Sequence, residues 1–70
     1  MVYKMRYDDD ADVLMLVLAE HGRLSHAEEI GDVVVHFDEG GAPLFMEILR
    51  ASKVVPSMVE ALAKKEIIVA

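Results

Sequence analysis

The residues of this chain that could do chemistry are its acids, histidines and serines, and their spacing limits what that chemistry is. Asp8, Asp10 and Asp12 stand at alternate positions, the spacing that opens a calcium-binding loop. Such a loop also needs glycine at its sixth position and a bidentate glutamate at its twelfth. Val13 and Ala19 occupy those places. The segment therefore reads as a turn with a solvated acidic edge, and Asp12 is expected to bond turn backbone rather than metal.

His21, His26 and His36, with Glu28 or Glu29, are residue types that bind zinc. No HxH or HExxH spacing and no cysteine supports them. Glu28, Glu29 and Glu47 are the acids that could pair for acid–base work, which requires a cleft that drives their pKa values apart. A domain this small offers such a cleft only between chains. Glu47 interrupts an otherwise apolar segment, and a salt bridge to Lys4 or Arg6 is expected for it. Ser25, Ser52 and Ser57 read as turn or capping residues. Gly40-Gly41 is followed by neither Lys-Ser/Thr nor an opening helix, so it is no phosphate loop. No catalytic residue, metal site or cofactor is expected; Asp8, Asp12, His36 and Glu47 are the weak polar-site candidates.

The elements that must position these groups follow from periodicity. Val2–Tyr7 alternates in a two-residue period and reads as a strand. Asp8-Asp9-Asp10-Ala11 is a turn, and Asp12–Leu18 is a strand apolar on both faces, the pattern of a central strand. A polar connection spans residues 20–26, Ala27–Ile30 is a short strand, and Gly31-Asp32 turns the chain. Val33–Phe37 and Pro43–Leu49 are strands joined by the loop 38–42, where glycine supplies positive φ. Leu49–Val55 starts a helix that Pro56 interrupts, and Ser57–Glu66 resumes it with Met58, Val59, Leu62 and Ala63 in one stripe. Ile67–Ala70 fits a frayed end, an edge strand or a docking arm. The fold class is α+β: an antiparallel β-sheet of two hairpins, four to five strands, with a C-terminal α-helix packed on one face.

If residues 8–11 close the first hairpin, Met5 lies opposite Leu14, Tyr3 opposite Leu16, Lys4 opposite Met15 and Arg6 opposite Val13. A five-residue loop in the second hairpin sets Glu47 opposite Val33. Val34, Leu44, Met46 and Ile48 would then join Tyr3, Met5, Leu14, Leu16 and Leu18 under the helix. Val13, Met15, Val17, Val33, Val35, Phe37 and Phe45 would form the opposite face. One helix cannot cover both, and an apolar patch of several hundred Å2 implies a partner. A homodimer or hetero-complex through this second face is expected, with those seven residues as interface candidates.

Composition agrees. Seventy residues make one domain, 1–70, and 54% of them are hydrophobic, a large share for so small an interior. With no cysteine, disulfides cannot supplement the core. The net charge of −6 repels phosphate backbones, so no nucleic acid is expected; it suits a small basic protein. The longest apolar run, Val13–Ala19, is too short for a bilayer, and no signal-peptide core follows the N-terminus. No membrane association is expected, and the location expected is the cytoplasm.

Tyr7-Asp8-x-x-Ala11-Asp12-x-Leu14, then Glu28-Glu29-Ile30, then Val34-Val35-x-Phe37-Asp38-Glu39-x-Gly41, then Glu47-Ile48-Leu49-x-Ala51-Ser52 resemble a prokaryotic family, domain of unknown function 2283. The resemblance covers roughly residues 3–53. It implies a small, stand-alone, β-rich protein with no established activity, some relatives being associated with toxin–antitoxin pairs. Two positions depart from the family's pattern: His36 stands where Asp is common and Phe45 where Gly is common. The expected function is thus a non-enzymatic protein-interaction module forming a homo-oligomer, antitoxin-like in partner. The alternative is a small enzyme or ligand-binding protein with a site at the subunit interface.

Overall fold

The chain builds five strands and then one helix: β1 (Lys4–Asp8), β2 (Val13–Val17), β3 (Leu24–Ile30), β4 (Val33–Asp38), β5 (Pro43–Leu49) and α1 (Ala51–Ala63). The structure, a computed structural model, describes residues 4–64. The strands form one antiparallel sheet in the order β1-β2-β5-β4-β3. The doubly apolar β2 and the aliphatic β5 are thereby interior strands, whereas β1 and β3, exposed along their lengths, form the edges.

Asp8 pairs with Val13, so the first turn comprises residues 9–12 rather than 8–11. Asp8 shapes it: its Oδ1 accepts the N–H groups of Asp10 at 3.0 Å and Ala11 at 3.2 Å. Asp12 closes it in the left-handed region at φ 57°, which Asp tolerates better than most residues. The expected pairing is therefore shifted by two. Met5 lies opposite Leu16 and Tyr7 opposite Leu14, while Lys4 meets Val17 and Arg6 meets Met15. An even shift leaves each side chain on its expected face. Tyr3, expected opposite Leu16, lies outside the described residues.

The second hairpin departs further. Phe37 pairs with Pro43, as a five-residue loop requires, but the next pair is His36 with Phe45. Leu44 is the extra residue, a β-bulge. Its carbonyl accepts Leu18 N–H at 2.8 Å and Ala19 N–H at 3.1 Å, so the neighbouring β2 end uses what the bulge withdraws from β4. Beyond the bulge the register differs from expectation by one residue, and an odd shift exchanges faces. Val33 and Val35 meet Ile48 and Met46 on the helix side; Val34 meets Glu47 on the outer side. Ser25 makes a similar irregularity in β3, which begins at Leu24 rather than Ala27.

The helix is continuous from Ala51 to Ala63 with Pro56 inside it, not interrupted there. Proline costs a helix one N–H and crowds the carbonyl four residues back; the first turn of α1 is held firmly enough to carry that cost. Its first three N–H groups, which have no i−4 helical carbonyl, each find an acceptor, and the fourth makes the first regular helical bond. Ala51 and Ser52 donate to the backbone oxygen and Oδ1 of Asp12, at 3.0 and 2.9 Å; Lys53 and Val54 donate to the Arg50 carbonyl, at 2.9 and 3.0 Å. Arg50 lies at φ 50° and supplies no side-chain cap. The cap comes instead from the first hairpin. Glu66 and Ile67–Ala70 lie outside the described residues.

Burial is shallow. Among the described residues Val34, Leu44, Ile48 and Ala51 are buried, and every residue of β2 is half-buried. Only the start of α1 approaches the sheet, where Ala51, Ser52, Val55 and Pro56 border a groove with Tyr7 and Leu14.

Candidate functional site

The structure distributes the polar candidates among three local arrangements and adds a fourth. At the first, the Tyr7 hydroxyl donates to Asp12 Oδ1 at 2.7 Å, and the Ser52 hydroxyl donates to Asp12 Oδ2 at 2.6 Å. The Ser52 hydroxyl, Tyr7 and the Ser52 N–H hold the Asp12 carboxyl below the usual carboxylate range, and the positive end of the helix favours the same anion. The bond to Asp12, with burial and the neighbouring acids, raises the Tyr7 phenol. Both shifts follow from the same bonds, which tie the Asp12 carboxylate to β1 and to the start of α1. The Tyr7–Asp12–Ser52 set therefore acts as a clamp between hairpin and helix.

At the second, Asp8, Asp9 and Asp10 bring carboxylate oxygens within 4.8 Å of one another. This differs from the Asp8, Asp10 and Asp12 spacing of a calcium loop, because Asp12 turns away to the helix. All three acids are exposed, and Asp8 is already engaged in turning the backbone.

At the third, on the outer face, His36 Nε2 and Glu47 Oε1 are 2.7 Å apart, both partly buried. Glu47 is paired with His36, not with Lys4 or Arg6. The His36 ring also stacks on Phe45, its cross-strand neighbour, with centroids 4.1 Å apart and planes at 17°. Arg6, Asp8, Val13 and Met15 share this face, where with Tyr7, Asp9, Ala11 and Glu47 they line an open groove of about 540 Å3.

At the fourth, Arg50 makes a two-pronged bond to Asp32: Nε to Oδ1 at 3.1 Å and a terminal nitrogen to Oδ2 at 2.7 Å. The guanidinium holds the Asp32 carboxyl below its ordinary range. Nothing in the sequence singled out this pair, since Gly31-Asp32 reads only as a turn. The histidines do not converge: His21 stands beside Glu20 at 4.0 Å, His26 stacks on Phe37 with centroids 5.1 Å apart, and His36 is on Glu47.

The seven interface candidates do not share one face. Val13, Met15, Val17 and Phe45 remain on the outer face, with Val34, His36 and Glu47. Val33 and Val35 belong to the helix side, and Phe37 follows them beyond the bulge to meet His26. The outer face is thus less apolar than the pattern predicted.

The motif residues now have positions and partners. Tyr7, Asp12 and Ser52 form the clamp; Asp8 and Asp38 turn their loops, Asp38 Oδ1 accepting Gly40 N–H at 2.9 Å and Ala42 N–H at 2.8 Å. The model of the family described as protein of unknown function DUF2283 matches residues 4–52. The chain belongs to this family. The DUF2283 part comprises the whole sheet and the capped start of α1, ending at the clamp serine. His36 and Phe45, expected to differ from the family's usual residues, are the stacked pair. No curated protein and no solved structure matches the chain. No helix among the described residues is long and apolar enough to cross a membrane.

Proposed function

We propose that this protein is a non-enzymatic interaction module that works as a homo-oligomer. The observation that carries the reading is the apolar surface left open around the helix. Met58, Val59 and Leu62 are 48%, 60% and 78% exposed, and Met5 is 62% exposed on the sheet. Four buried residues among those described are a small core for a chain that must offset the entropy of ordering itself. Burying these side chains between subunits would add about 1.5–3 kcal/mol for each one taken from full exposure to full burial. The polar sets add support, since the clamp and the loop aspartates have structural tasks.

A small basic protein is the heterologous partner that the net charge of −6 favours, which gives the module its antitoxin-like aspect. Light scattering on the purified chain tests the first part: a monomeric mass at micromolar concentration removes it. Capture from the host tests the second. One small basic protein in near-equal amount supports the antitoxin-like role; the chain recovered alone removes it.

A second reading, a ligand-binding protein or small enzyme completed at a subunit interface, rests on the groove over Arg6, Asp8, Met15 and Glu47. A second subunit would close the groove and supply the desolvation that acid–base chemistry needs. A small molecule or metal retained through native mass spectrometry supports this reading; a spectrum of bare protein alone counts against it.

A further inference from the structure

We propose that a second copy of this chain docks on the helix side of the sheet, each copy setting its Met58, Val59 and Leu62 stripe into the other's groove between α1 and the first hairpin. This inference rests on the homo-oligomer reading and names its surface. The stripe continues from Val55 at the three- and four-residue spacing of one helix face, yet past Pro56 its large apolar residues are mostly exposed. The groove bordered by Tyr7, Leu14, Ala51, Val55 and Pro56 has a volume of about 260 Å3. Ridge and groove lie on the same chain, so a two-fold axis can satisfy both at once, as an isologous contact requires.

Area and charge both identify the occupant as another copy. Met5, Tyr7, Met58, Val59 and Leu62, at 62%, 54%, 48%, 60% and 78% exposure, together offer about 600 Å2 per chain; the half-buried residues around them raise this toward the ~800 Å2 per partner of a standard interface. Two copies each of charge −6 repel unless they meet where the charge is weakest. That place is α1: over residues 51–64 it carries Lys53 and Lys64 against Glu60, and Lys64 is paired with Glu60 at 2.7 Å. The outer face sets Lys4 and Arg6 against Asp8, Glu29 and Glu47 and so keeps an excess of acid.

Sedimentation equilibrium on the full chain, its Leu62→Glu variant and its Phe45→Glu variant tests the docking mode. The wild type is expected to dimerise, more tightly as salt rises from about 0.05 to 0.5 M because screening relieves like-charge repulsion. Leu62→Glu is expected to weaken dimerisation at least tenfold with an unchanged circular dichroism spectrum, since an exposed side chain adds little to the monomer fold. Phe45→Glu should remain dimeric. A wild-type monomer overturns the oligomer reading itself. A wild-type dimer unaffected by Leu62→Glu overturns only the docking mode. A spin label at Val59→Cys gives a second measure: dipolar broadening between labels is expected, and its absence in a confirmed dimer would place the contact elsewhere.

Discussion

The carboxylate of Asp12 accepts the hydroxyl hydrogen of Ser52 at 2.6 Å, across forty positions of sequence. The same aspartate accepts the first two N–H groups of α1 and the Tyr7 hydroxyl. One residue at the end of a hairpin turn therefore caps a helix that its own preceding residue, Arg50, does not cap.

Replacing Asp12 with alanine should lower the melting temperature by several degrees and loosen α1 selectively, because the Ser52 N–H and the Ser52 and Tyr7 hydroxyls lose their acceptor while Ala51 keeps the backbone carbonyl. Amide exchange checks this: protection should fall most at Ser52, whose N–H the carboxylate accepts. The clamp also sets an acid dependence. The folded pKa of Asp12 is depressed, so its stabilisation is complete above the unfolded value and is lost as pH falls through the folded value. Asp12→Asn, which titrates nowhere, should give a flatter acid limb in urea titrations.

Asp32 should add to the same acid limb, since the Arg50 guanidinium depresses its carboxyl. Its contribution is likewise complete above the unfolded value and lost below the folded one. Arg50→Gly and Arg50→Ala both remove the ion pair, but only glycine fits φ 50° without strain. The glycine variant should be the more stable of the two by thermal denaturation, and both should lose the Asp32 part of the acid limb.

Gly22 lies against the side chain of Leu44, and a Cβ there would strike Leu44 Cδ2. Leu44 is one of the buried residues and the bulge of β5, so its side chain would have to shift within a packed position. Gly22→Ala should cost about 1–3 kcal/mol by overpacking. Gly22→Ala combined with Leu44→Ala should cost less than the two changes summed, measurable by chemical denaturation.

His36 and Phe45 should be energetically coupled. A double-mutant cycle to alanine is expected to return about 0.5–1.5 kcal/mol for their stacking. The same cycle between Phe45 and Phe37 should return close to zero, because Phe37 stacks on His26 instead.

Much of the first hairpin was legible. Alternation in β1 and the doubly apolar β2 assigned each residue to its face, and the two-residue error in pairing did no harm because faces repeat every two residues. The same reasoning failed in the second hairpin. Val33, Val34 and Val35 are chemically alike, so the sequence offers no preference for which of them faces the helix. The bulge at Leu44 decides it, and Leu18 and Ala19 on β2 hold that bulge. The candidate polar residues were legible as types but not as partners: Glu47 found His36 because the shifted register made them diagonal neighbours.

The sequence by itself determined the class of fold, the placement of turns at the Asp- and Gly-rich segments, the absence of disulfides and the family, because each depends on local composition or on a motif read along the chain. Tertiary structure decided which face each residue of β4 occupies, that α1 runs unbroken through Pro56, and that Asp12 caps it. Those outcomes depend on contacts between residues far apart in sequence, whose energies no local pattern encodes.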